Sequence, residues 1–213
     1  MNTIGIISAY DEMIDKINEK TSPISAKNIL GFDFALSKTE NSSILTVKGG
    51  FGKVNKAILS QIMIDMYAVD YIIDVGAAYP IDKSAVNGDV VIVDKAFYYD
   101  IDFSSVGYVK GSIPKMTEET FLCDEALINA AKEVLDGAAI GNLFVSSLAS
   151  GESPAGDDVK AFCADSDGAA AVHTCSLNRI PCVLIKAISE DIMKLPQSAI
   201  KMAEAVAEIP MKL

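Results

Sequence analysis

Two runs in this chain, Tyr71-Ile72-Ile73 and Cys182-Val183-Leu184-Ile185, have no polar face. A strand that is apolar on both sides must be covered on both sides, which in a sheet means helices above and below. Segments with helical spacing separate such runs along most of the sequence. An opening strand over 3–8 leads to Met13, Ile14 and Ile17, which share one helical face. Strands at 32–38 and 43–48 flank the Glu40-Asn41-Ser42-Ser43 turn, as an antiparallel hairpin requires. Helices are expected at 54–66, 118–135, 167–177 and 197–209. Further strands are expected at 70–75, closed by Gly76-Ala77-Ala78, at 90–93 and on through Phe97-Tyr98-Tyr99, at 141–147, 159–164 and 182–185. Strands alternating with helices predict a three-layer α/β/α sandwich with a mixed central sheet. With 213 residues and 50% apolar content, one domain over 1–213 has enough material for a core.

Charge narrows the partners. Acids outnumber bases 29 to 18, the formal net charge is -11, and no Lys/Arg cluster interrupts it. Nucleic acid and anionic membrane are therefore poor candidates. Arg179 is the single arginine, so a site of bidentate arginine forks around a phosphate has little to draw on. No apolar run reaches 18 residues and no secretory leader opens the sequence, so a cytoplasmic protein is expected. Cys123, Cys163, Cys175 and Cys182 lack C-x-x-C spacing and read as buried free thiols. His173 is the only histidine and reads as a helix residue at a packing surface. Neither points to a metal, and no metal or cofactor is expected.

Gly49-Gly50-Phe51-Gly52-Lys53 is followed by Val54, where a P-loop has Ser or Thr, and Gly5 does not open a dinucleotide fingerprint. The segments 49–53 and 76–78 are compatible both with a backbone anion nest and with close packing of helix on sheet. Three acid pairs stand just beyond expected strands: Asp11-Glu12, Asp165-Ser166-Asp167 and Glu190-Asp191. If those strands are parallel, the acids meet at one sheet edge, where carboxylates can protonate a leaving group, orient water and hold hydroxyls. Acids at helix starts also serve as caps or first-turn charges, and both readings stand.

The chain resembles the nucleoside phosphorylase superfamily, most closely its hydrolytic branch of bacterial 5'-methylthioadenosine/S-adenosylhomocysteine nucleosidases. The likeness runs through Ile4-Gly5-Ile6-Ile7-Ser8-Ala9, Gly50-Phe51-Gly52-Lys53-Val54, Asp74-Val75-Gly76-Ala77-Ala78 and Gly88-Asp89-Val90-Val91-Ile92. It continues with Tyr98-Tyr99-Asp100-Ile101-Asp102, Gly107-Tyr108 and the segment from Pro181 to Ser189. The resemblance implies the three-layer fold, a homodimer with the 97–108 stretch near the neighbouring site, and hydrolysis of a purine nucleoside N-glycosidic bond without metal or cofactor. It implies no nucleic-acid or membrane partner.

It also assigns roles. Glu190 takes the place of the aspartate that protonates the leaving base, one methylene longer. Asp167 takes that of the ribose-binding glutamate, and Ser166 that of the methionine packed on the sugar. Ala77 and Ala78 stand in the central glycine loop, Ser150 in the purine clamp, and Tyr10 is a candidate ring beside the base. Glu12 is the candidate for positioning water, although in ungapped register that place falls on Met13. One residue on a helix turns a side chain by about 100°. Lys186 stands where the family has arginine. These departures keep a second reading open: a homologue that has lost this chemistry and binds a nucleoside-like metabolite.

Overall fold

The computed structural model describes residues 1–116, 120–145 and 161–213. The chain opens with β1 (Asn2–Ser8), whose Ile4, Ile6 and Ile7 are buried, and enters α1 (Asp11–Thr21) through Tyr10. Met13, Ile14 and Ile17 form the buried face of α1, as their spacing dictates. Next come β2 (Ser25–Ile29), β3 (Phe32–Lys38) and β4 (Ser42–Lys48), an antiparallel set. The helix α2 (Lys53–Tyr67) leads to β5 (Tyr71–Pro80) and β6 (Val90–Tyr98). After the two-residue β7 (Phe121–Leu122) come α3 (Glu125–Val134), β8 (Ala139–Val145), β9 (Cys163–Asp165), α4 (Gly168–Asn178), β10 (Cys182–Ile188) and α5 (Gln197–Val206).

The described strands make one mixed sheet. Parallel pairing joins β4, β1, β5 and β10 side by side, so these four strands end at the same edge. Beyond β10 the sheet turns antiparallel to β6, passes in parallel to β8 and β9, and returns antiparallel to the end of β5. Five strands therefore close a ring, and β1, β4, β3 and β2 extend from it as an open wing. Helices α1 and α3 each pack on α5, while α2 packs on α4, giving a helical layer on each side of the sheet.

Three expectations need correction. β5 does not close at Gly76-Ala77-Ala78 but runs on to Pro80, because Ala77 and Ala78 pair with Ala187 and Ile188, and Tyr79 and Pro80 pair with β9. The helix expected from 118 begins at Glu125: Asp124 caps it by accepting the Leu127 N–H at 3.0 Å, and Phe121 and Leu122 pair with β6 instead. The strand β2 was not anticipated; its Ser-Ala-Lys-Asn segment is exposed on both sides and shows no alternation.

Candidate active site

At the shared edge of the parallel strands, residues from several chain segments enclose a small polar cavity. Ala9 and Tyr10 follow β1, Phe51 and Lys56 follow β4, Gly76 and Ala77 belong to β5, and Lys186 to β10. Asp165, Ser166 and Asp167 come from the turn between β9 and α4, and Ile192 from the segment after β10. The cavity measures about 10 Å³, the room of roughly one water molecule.

Its floor is an ionic network. Lys56 Nζ lies 2.5 Å from Asp74 Oδ1 and 3.6 Å from Asp167 Oδ1. Lys186 Nζ lies 2.7 Å from Asp74 Oδ2 and 2.9 Å from Asp165 Oδ2. All five side chains are at least nine-tenths buried. Burial by itself would strip the charge from each; in Asp74 the two lysines outweigh it and hold the carboxyl below its ordinary value. In Lys56 and Lys186 burial is likewise overcome, by Asp74 and Asp167 in the first and by Asp165 and Asp74 in the second, so both ammonium groups are held above the ordinary lysine value. Asp165 goes the other way: burial outweighs Lys186 and raises it. Carboxylate oxygens of Asp74, Asp165 and Asp167 lie within 4.8 Å of one another, but the ammonium groups already supply the countercharge among them.

Asp167 is fixed from two directions. Its Oδ2 accepts the Gly52 N–H at 3.0 Å and the Ser166 hydroxyl at 2.9 Å. One amide of the glycine segment is thus turned to the protein's own carboxylate, in a backbone where Gly49, Gly50 and Gly52 all have positive φ. Asp165 Oδ1 accepts the N–H groups of Asp167 and Gly168, which seats the start of α4. Tyr10 closes the top, donating its hydroxyl to the Ile192 carbonyl at 2.8 Å and meeting Phe51 edge-on at 5.2 Å. Burial raises the Tyr10 hydroxyl well above its ordinary value, so it stays a donor.

Of the residues anticipated for the site, Tyr10, Ala77, Ser166 and Asp167 line the cavity. Ala78 does not; its carbonyl accepts the Ser189 N–H and ties β5 to the end of β10. Glu12 and Glu190 are not brought there either. Glu12 is exposed in the first turn of α1, because the face that turns inward carries Met13. Glu190 is exposed just past β10, its N–H directed at Asn87 Oδ1, while Asp191 pairs with Lys194. Ser150 lies outside the described residues. The four cysteines are free and buried, and His173 packs on Phe121 with its Nδ1 3.2 Å from the Tyr98 hydroxyl, away from the cavity lining.

Sequence reasoning missed Lys56 and Asp74 as site residues. Both carried a signal: Lys56 shares the buried face of α2 with Leu59, Ser60 and Met63, and Asp74 interrupts an apolar strand. Opposite charges set in two apolar faces need each other.

A mixed α/β sheet with carboxylates gathered at the ends of its parallel strands defines a class of ligand-binding α/β proteins. Within it, residues 3–209 match the family described as the phosphorylase superfamily. This chain belongs to that superfamily. Over 219 residues it is 28% identical to a 5'-methylthioadenosine/S-adenosylhomocysteine nucleosidase of Marinomonas sp. (strain MWYL1), covering 98% of this chain and 94% of the relative. A protein of the same name from Staphylococcus saprophyticus is 31% identical over 88% of this chain and 86% of its own. Among solved structures, a futalosine hydrolase mutant of Helicobacter pylori superposes with a TM-score of 0.91 at 22% identity, covering both chains completely, which shows the fold.

Proposed function

We propose that this protein hydrolyses the N-glycosidic bond of a purine nucleoside, with methylthioadenosine and adenosylhomocysteine as reference substrates. The observation that carries this reading is the match of nearly the whole chain, at 28–31% identity, to proteins named as nucleosidases for those two compounds. The site supports it through Asp167, whose Oδ1 makes no hydrogen bond among the described residues and faces the cavity as an acceptor for a sugar hydroxyl. Beside the cavity, a groove lined by Phe51, Gly52, Lys53, Val54, Asn55 and Ser166 offers about 600 Å³ for the rest of a ligand.

In this reading Glu190 is the general acid. It stands between two cavity-lining residues, Lys186 and Ile192, at the start of an exposed turn beside the cavity. Its proton goes to the base, the bond from base to sugar breaks with its electrons leaving on the base, water adds to the sugar carbon, and the proton that water releases passes through solvent to restore the Glu190 carboxyl. Glu12 is assigned no part. The test is base release from methylthioadenosine, adenosylhomocysteine, deoxyadenosine and inosine by the wild type and by Glu190→Gln. Loss of a general acid lowers turnover by about 10²–10⁴-fold, and that loss is expected here.

A second reading, a homologue that binds a nucleoside-like metabolite without cleaving it, is favoured by the size of the cavity and by the exposure of both glutamates. No base release from any nucleoside, with or without phosphate, decides for it.

We place the protein in the cytoplasm as a homodimer. Four free thiols suit a reducing compartment, and no helix among the described residues is long and apolar enough to cross a membrane. On α2, Val54, Ile58, Ile62 and Met66 recur every four residues, and Val54 is 70% exposed. Phe103, Val106 and Val109 are exposed as well. Such surfaces are characteristic of subunit contacts.

A further inference from the structure

We infer that Lys56 is a specificity-determining residue, which together with Asp167 selects ligands carrying a hydroxyl on the sugar edge inserted into the cavity. The inference rests on the nucleoside reading above. Its basis is a matched pair of unused hydrogen-bonding capacities facing one small space. Of the three ammonium protons of Lys56, one is committed to Asp74 Oδ1; the contact with Asp167 Oδ1, at 3.6 Å, is too long to be a hydrogen bond. Asp167 spends Oδ2 on Gly52 and Ser166 and keeps Oδ1.

A donor and an acceptor 3.6 Å apart at the wall of a cavity the size of one water are placed for one group that both accepts and donates. A hydroxyl is such a group: it donates to Asp167 Oδ1 while its oxygen accepts from Lys56. An ether, a methylene or an amine cation fails on at least one side. Phe51 and Ser166 line both the cavity and the outer groove, so a ligand lying in the groove can direct one edge inward once Tyr10 and Phe51 part. The aromatic pair and the Tyr10–Ile192 hydrogen bond are the contacts that have to open.

Discrimination then follows from what a deoxy ligand leaves behind. Without its hydroxyl, a buried ammonium and a buried carboxylate oxygen lose water and gain nothing, and hydrogen bonds to charged groups are worth about 10- to 100-fold in affinity. Lys56→Met removes the donor. The double variant Lys56→Met/Asp74→Asn does so while lowering cations and carboxylates by one each, so the net charge of the network is kept and Lys186 retains Asp165 as its partner.

Calorimetric titration of adenosine, 2'-deoxyadenosine and 3'-deoxyadenosine, with base release measured on the same three, is the experiment. Wild type is expected to disfavour one of the two deoxy compounds by about 10- to 100-fold, with Lys56→Arg keeping part of that preference. Both the Lys56→Met variant, if folded by thermal melting, and the double variant should bring the ratio near one. Equal affinity of wild type for all three, or a preference that survives in the double variant, overturns the inference. Discriminating binding without base release overturns the hydrolytic reading and leaves this inference standing. No binding of any of the three overturns both.

Discussion

A buried ammonium group is tolerable only while its carboxylate partners stay ionised, and Lys56 and Lys186 share Asp74 between them. Removing one partner of a buried pair costs about 3–5 kcal/mol, more than the pair itself contributes. Asp74→Asn should therefore lower stability by about that amount at pH 7, read as a shift of the urea midpoint. The pH dependence has a definite sign. Asp74 is held below the ordinary carboxyl value, so its stabilisation is present above about pH 4 and is lost as the pH falls through the lowered value. The gap between wild type and Asp74→Asn should shrink toward pH 2. Asp165, raised by burial, works in the opposite sense and favours the fold as it takes up a proton; the Asp74 charge adds to that rise, so the effect is smaller in Asp74→Asn. A gap that stays constant from pH 6 to pH 2 would rule out an ionised Asp74 as the cause.

Among the elements, α4 shows how closely the site is built into the packing. A Cβ on Gly168 would come 2.7 Å from Asp165 Oδ2 and 2.8 Å from Leu143 Cδ2, with no room at the turn that presents Asp167. Gly168→Ala should destabilise the protein by about 1–3 kcal/mol and displace Asp165 from Lys186, measurable as a lower melting temperature together with weaker ligand binding. The elements themselves were legible where apolar spacing carried them. The inward face of α1 was readable from Met13, Ile14 and Ile17, and the strand at 182–185 from its unbroken apolar run, although it continues through Lys186 to Ile188. β2 was not, since Ala26, Lys27 and Asn28 owe their strand conformation to pairing with β3 rather than to their own burial. The site was legible as far as Asp165–Asp167, because a turn after a short strand sets their place. The exposed settings of Glu12 and Glu190 were not legible, because adjacency to a strand end does not decide which way a side chain points.

For the whole molecule, the exposed stripe on α2 gives the decisive variant. Val54→Asp/Ile58→Asp adds charge to that stripe at two solvent-exposed positions and leaves the buried face of α2 untouched. Light scattering at micromolar concentration should give twice the chain mass for wild type and the single mass for the variant, with thermal stability of the monomer retained. The chain's net charge of -11 makes any association weaker at low salt, where like-charged subunits repel at longer range.

The ring of strands has a consequence for how the chain is born. From Ile72 to Ala78, β5 pairs on one side with β10, which lies about one hundred residues further on. At about 5–20 residues per second, that segment emerges on the order of 5–20 s after β5. Through that interval the nascent chain carries an apolar strand with an open row of amide and carbonyl groups, the template on which neighbouring chains on one messenger pair with each other. The strand that brings Asp74 to the site is thus the one whose pairing edge stays open longest during synthesis.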